Sequence, residues 1–378
     1  MDWLRIGAFA LLILYHVALV FAPGRWVIKA SLASPALIPP MALLTPWRLA
    51  LLFAVSGYAS RALLARSGDV RAFLRGRSAR LLPPLAFGMA VLLPIEMWVR
   101  VRANGYPDSY ARFWAVDYWR VGTLNGVLFP SWEHLWFVAY LWTYTMLLGV
   151  ALLVAGRRLM AWSEAMETWL LADRRLLWAP AAVLAAAKLG LLFILPEQQG
   201  LLTDWAGHAE YVPLLLFGFI AAGGDRIWQG IERVAVPAFA VAVLAGATVV
   251  AIEVAYPGDA VPSHGLMALD RAGRITMGWS MVLLLFHLAR TRLDHDHRWR
   301  APLARAVFPA YLIHHPVIVL VAWLTLPLHL SNTAAFALLV LATGAACWAV
   351  WQIGERIGGV GALIGLSPAR STVAPATA

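Results

Sequence analysis

Apolar runs long enough to cross a bilayer recur about ten times along this 378-residue chain, and that recurrence restricts the fold more than any other feature. They fall near 3–22, 42–63, 79–98, 134–156, 177–195, 209–223, 234–256, 272–290, 305–326 and 334–354. Backbone in hydrocarbon must satisfy its own hydrogen bonds, so runs of this length are helices. The expected fold class is all-α, a polytopic membrane helical bundle of about ten transmembrane helices. Only 13% of residues are charged, against about 25% in a soluble domain. A soluble α/β enzyme is excluded.

A net charge of +10 would suggest nucleic acid in a soluble protein. Here the basic residues gather in alternate loops, as positive-inside topology requires, and no nucleic-acid partner is expected. With the N-terminus inside, 20 of the 30 Lys and Arg fall on the cytoplasmic side. The excess predicts a multi-pass protein with both termini inside, N-in and C-in. Residues 1–366 read as one transmembrane domain, and 367–378 as a disordered cytoplasmic tail. The first span lacks a basic n-region and reads as an anchor. The lone Cys347 precludes an intrachain disulfide.

Ionisable residues inside spans are costly and mark function by default. The first span, 2–22, reads DWLRIGAFALLILYHVALVFA. Arg5 and His16 are eleven residues apart, about three helical turns plus roughly 20°, so they share a face about 16 Å apart. A snorkelling Arg and a hydrogen-bonded His would explain them. So would an anion site leading to a buried base, because neutral imidazole suits proton transfer near pH 7. An extended pantetheine arm is of comparable length, roughly 15–20 Å.

Four further segments carry candidates. Residues 71–84, RAFLRGRSARLLPP, hold Arg77 and Arg80 on one helical face, suited either to phosphate or to a plain cytoplasmic charge cluster. In 131–141, SWEHLWFVAYL, Glu133, His134 and Trp136 open the fourth span as an acceptor pocket or as interfacial anchors. The preceding outer loop, 99–133, is rich in aromatic residues, fit for a sugar-stacking surface or an interfacial belt. Tyr311, His314 and His315 lie in YLIHHP of the ninth span. Membrane di-iron proteins need several such histidine boxes, and the only other pair, His295 and His297, sits in an Arg-rich loop, so no metal is expected. Arg48 precedes LALLFAVSG, where Ser56 and Gly57 allow close helix packing. Lys188 and Glu253 are isolated charges without assignable partners.

These segments, in this order, resemble the membrane acyltransferase-3 family, particularly its glucan-modifying, succinyltransferase-like branch. The match covers DWLR with LYH, Arg48 with LFAVSG, RSARLLP, HLWF and YLIHHP, across about residues 1–320. The resemblance implies transfer of an acyl group from cytoplasmic acyl-CoA to a hydroxyl of an extracytoplasmic carbohydrate. It implies His16 as the catalytic residue, with Arg5, Arg77 and Arg80 meeting the CoA. The donor would be acetyl- or succinyl-CoA, with no bound cofactor. The periplasmic hydrolase-like domain of some relatives is missing, so a partner protein could complete the transfer. Arg48, Ser56, Glu133, His134, Trp136, Tyr311, His314 and His315 are the cavity or acceptor candidates. The rival reading is a proton-coupled transporter or flippase of an anionic or sugar-linked substrate, using His16, Lys188 and His314. Inverted repeats would favour it, and none is evident.

Overall fold

The computed structural model describes residues 1–192, 194–195 and 199–366. The predicted tail, 367–378, and part of the loop after 195 lie outside the described residues. Helices dominate: α1 (Asp2–Phe21), α2 (Ile38–Ser67), α3 (Val70–Phe87), α4 (Leu93–Ala103), a one-turn α5 (Tyr110–Arg112), α6 (Trp136–Leu171), α7 (Arg175–Leu192), α8 (Trp205–Ala221), α9 (Arg226–Ala255), α10 (His264–Thr291), α11 (Arg300–Thr325), α12 (Asn332–Arg356) and α13 (Gly358–Leu363). Among the described residues, eight helical segments are long and apolar enough to span a bilayer. One of them, 133–191, contains both α6 and α7, and α8 has only 17 residues. The chain is an all-α polytopic membrane protein.

The outer helices show why a bilayer is required. On α9, Val236, Phe239, Val243 and Leu244 are exposed, and on α12 Leu341 and Trp348 are. Such apolar faces would aggregate in water and are at home in lipid. Inside the bundle α2 is central, packing on α1, α8, α9 and α10, while α1 also lies against α11 and α12.

Backbone proximity sets that centre. A Cβ added at Gly57 would sit 1.8 Å from the Leu215 carbonyl oxygen of α8, and one at Gly218 would sit 1.7 Å from that of Ala54. The two helices therefore cross with backbones touching, the role expected of the small pair in α2. Gly57→Val should cost more than about 3 kcal/mol, because backbone cannot yield as a side chain does. Loss of a monodisperse detergent-solubilised species, or a large fall in Tm, checks this. At the end of α2, Gly68 takes φ +66 and Asp69 caps α3 by accepting from the Ala72 N–H at 3.0 Å, so the turn is tight. Those backbone N–H groups hold the Asp69 carboxyl below its usual range.

The third predicted span is interrupted. A π-helical stretch, Gly88–Leu92, joins α3 to α4, and the Leu93 N–H bonds back to Gly88 O. That shift frees Met89 O, and Pro94, lacking an N–H, frees Ala90 O. Both carbonyls accept from the outer loop: Tyr118 OH reaches Met89 O at 2.5 Å and Trp114 Nε1 reaches Ala90 O at 2.8 Å. The outer loop is thus a built subdomain with its own core of Met97, Val101, Tyr106, Phe113, Tyr118 and Phe129. It includes a hairpin, β1 (Gly122–Leu124) with β2 (Val127–Phe129), turned by Asn125–Gly126, both at positive φ. Tyr106, Phe113 and Tyr118 are core residues there and offer no stacking surface. Trp114 and Trp119 are exposed, as expected of an aromatic belt.

Candidate active site

Three stripes converge on the centre of the bundle from the end where the chain begins. On α1, Arg5 and Phe9 lead to Leu12 and His16 at helical spacing. On α2, Ser56, Val55 and Leu52 lead back to Arg48, and on α11 Val307 leads to Tyr311, His314 and His315. A cavity of about 430 Å³ opens between their outer parts, lined by Arg5, Phe9, Ser56, Arg77, Arg80 and Arg300, among others. Arg66 joins them, and Asp2 is the only carboxylate among the lining residues. Asp2 stands 3.9 Å from Arg5 and 3.7 Å from Arg300. Arg77 is buried, and its Nη2 donates to Thr145 Oγ1 at 3.4 Å. The cavity is a concentrated, under-neutralised cation site suited to phosphate groups.

Deeper in, the helices bring four histidines together. His16 Nδ1 lies 3.0 Å from Leu12 O and 3.1 Å from His314 Nε2. His314 Nδ1 lies 2.6 Å from Tyr311 O. Carbonyls only accept, so both Nδ1 atoms carry the protons and His314 Nε2 is an acceptor. That leaves a lone pair on His16 Nε2, which has no hydrogen-bond partner among the described residues. His16 is half-buried, so this lone pair is reachable. The sequence-predicted base therefore has the tautomer a base needs.

His315 packs edge-on to His16, with ring centroids 4.9 Å apart, and donates from Nδ1 to Glu96 Oε2 at 2.7 Å. His134 stacks on His315 at 4.9 Å and donates from Nε2 to Leu312 O at 3.1 Å. Tyr311 OH donates to His134 O. Two acceptors in this cluster, His134 Nδ1 and Glu96 Oε1, are buried with no partner. Glu96, His134 and His315 each offer a donor atom within 4.8 Å of the others, the composition of a two-histidine–carboxylate metal set. Sequence reasoning sought contiguous histidine boxes and could not foresee a set assembled from α4, the approach to α6 and α11. In the structure one side of that set is already closed by the Glu96–His315 hydrogen bond.

Beyond the histidines a second cavity, about 1110 Å³, opens at the opposite end, lined by Trp26, Arg100, Ser131, Trp132 and Glu133, among others. Glu133 is held by Arg100 Nη1 at 2.6 Å and by Ser131 Oγ at 2.7 Å. Trp26 meets His315 edge-on at 5.3 Å, so it is shared by the cavity wall and the histidine cluster. Lys29 helps set the loop that carries Trp26, donating to Leu19 O at 2.6 Å and to Ala22 O at the end of α1.

Not every expected residue joins the site. Trp136 is buried among Phe53, Phe137, Tyr140 and Tyr211, and lines neither cavity. Ser56 lines the arginine-rich cavity and not the outer one. Lys188 pairs with Glu210 at 3.2 Å, and Glu253 pairs with Arg274, which also holds Asp270 at 2.7 Å. Those charges are structural pairs. His295 stacks on Trp3 at the N-terminal end, away from the four histidines. Glu96, Trp26 and Arg100 were missed. Glu96 carried a usable signal, since it is a lone carboxylate in an apolar span. Trp26 and Arg100 carried none, because interfacial Trp and Arg are ordinary.

Comparison with known proteins agrees with this geometry. A family model described as an acyltransferase domain matches residues 1–352. No curated protein and no solved structure matches the chain. A match over nearly the whole chain decides the matter: this protein is a membrane acyltransferase of the acyltransferase-3 family.

Proposed function

We propose that the protein moves an acyl group from cytoplasmic acyl-CoA to a hydroxyl of an extracytoplasmic carbohydrate, with His16 as general base. The observation that carries this is a free imidazole lone pair between an arginine-lined cavity and an outer vestibule. The arginine end is the cytoplasmic one in this reading, by the positive-inside excess, and the membrane is a bacterial inner membrane. CoA phosphates sit among Arg5, Arg77, Arg80 and Arg300, and the pantetheine arm runs along α1, delivering the thioester to His16. The acceptor enters past Trp26, Trp132 and Glu133, where indole faces suit a sugar ring. A glucan acceptor and an acetyl or succinyl donor follow the branch that the five sequence segments resemble.

The step balances simply. The acceptor O–H gives its proton to His16 Nε2 while its oxygen bonds to the thioester carbonyl carbon. Collapse of the tetrahedral adduct breaks the C–S bond. His16 returns the proton to the departing sulfur, releasing an ester and free CoA thiol.

Purified protein in vesicles, given labelled acyl-CoA and an oligosaccharide, should yield labelled ester and free thiol in equal amounts. Mass spectrometry of cell-envelope glycans with and without the protein should show the matching acyl mass difference. A purified chain that binds no CoA would overturn the reading. Transfer seen in whole membranes and absent from the purified chain would point to a partner protein. For the donor site, Arg77→Met and Arg80→Met should each raise the KM for acyl-CoA about 10-fold with little change in kcat, as loss of one charge-assisted phosphate contact requires. Steady-state kinetics at varied acyl-CoA would settle it.

A further inference from the structure

Resting on the proposed acyl-CoA reading, we infer that Arg48 is a binding site for a carboxylate at the far end of the acyl chain, so that the donor is a dicarboxylic acyl-CoA such as succinyl-CoA.

Arg48 is a cation where no cation should be comfortable. It is buried within the central helix α2, its Nε has no hydrogen-bond partner, and no carboxylate of the described residues lies within ion-pair distance. Of the other deep charges, Arg274 is matched by Glu253 and Asp270 and Lys188 by Glu210, while Arg77, also without an acid, lines the arginine-rich cavity. What holds Arg48 is an aromatic face. Its guanidinium carbon lies 3.4 Å from the centre of the Tyr15 ring. Tyr15 is itself fixed, accepting from Thr45 Oγ1 at 3.2 Å. The unpartnered Nε–H belongs to the guanidinium edge that can bind a carboxylate through two parallel bonds. A buried charge left without a counter-ion is costly, and a carboxylate on the ligand would relieve that cost.

The position fits a donor subsite. Arg48 stands one helical turn before Leu52, on the stripe of α2 that lines the arginine-rich cavity through Leu52, Val55 and Ser56. It therefore lies at the inner end of the route along which the thioester reaches His16. The Tyr15 and His16 ring centres are 5.7 Å apart. The guanidinium and the catalytic imidazole are thus separated by no more than this distance plus the Arg48–Tyr15 distance. A four-carbon dicarboxylic acyl group spans about 4 Å from thioester carbon to carboxylate carbon, and a forked Arg–carboxylate contact adds about 4 Å more. Their sum stays within that upper limit, so a carboxylate held by Arg48 keeps the thioester carbon near His16, whereas an acetyl group leaves Arg48 unanswered.

The test is a comparison of donors in the reconstituted protein. Wild type should use succinyl-CoA in preference to acetyl-CoA. Arg48→Met removes the charge while keeping a long straight side chain, and should lower the succinyl-to-acetyl ratio of kcat/KM at least about 10-fold. Arg48→Lys keeps the charge without the fork and should fall between the two. Removing an unpaired buried charge should not unfold the helix, and a wild-type-like Tm of Arg48→Met would confirm that the comparison is sound. Equal losses with both donors would overturn the assignment in favour of a role at the reacting carbonyl. So would a wild type that prefers acetyl-CoA. Wild-type protein that transfers from no acyl-CoA would overturn the underlying functional reading and this one with it.

Discussion

His16→Ala should lower acyl transfer by about 10³-fold or more while leaving the protein folded, inserted and able to bind acyl-CoA. A positioned base contributes roughly 10²–10⁴-fold, and no other group in the site has both the lone pair and the position to replace it. His314 cannot, because its free nitrogen already accepts from His16 Nδ1 at 3.1 Å. His134 offers a bare Nδ1, yet that atom is fully buried, with the ring packed between His315 and Tyr311, whereas His16 is only half-buried. The cost to stability should be small. His16 gives up one side-chain hydrogen bond to Leu12 O and one to His314, about 1 kcal/mol each. Single-turnover transfer from labelled acyl-CoA separates this loss from a binding defect. Wild-type-like transfer by His16→Ala would remove His16 from the mechanism.

The sequence made Arg5 and His16 legible because both sit on one helix, where spacing alone fixes their common face. Arg77 and Arg80 were legible for the same reason. The relation of His16 to His314 and His315 was not, because it depends on α1 packing beside α11 after nearly 300 intervening residues. Glu96 illustrates the same limit. It is visible in the sequence as a lone carboxylate in an apolar span, but its meaning depends on His315 lying 2.7 Å away. The outer hairpin was written locally in Asn125–Gly126, but two three-residue strands are too short for alternation to register against the surrounding aromatics. Trp136 misled for a different reason. A Trp at a membrane edge reads as interfacial, and only tertiary packing on Phe53 and Tyr211 turns it into core.

Glu96 carries the second large effect. Proton transfer to His16 places a positive charge beside His315, whose other face is hydrogen-bonded to the fully buried Glu96. A carboxylate within about 9 Å of the developing imidazolium, at an effective dielectric of about 20, favours it by about 2 kcal/mol, or roughly 30-fold in rate. Orientation of the His315 ring adds to that. Glu96→Gln keeps a carbonyl oxygen to accept from His315 and loses only the charge. It should therefore lower kcat about 30- to 100-fold with the KM for acyl-CoA unchanged. Glu96→Ala should lower kcat further and also lower Tm, since the His315 Nδ1–H would be left buried without an acceptor. The comparison of the two substitutions separates charge from scaffolding. Should Glu96→Gln transfer within about threefold of wild type, the carboxylate only holds the ring in place, and the charge-stabilising role falls.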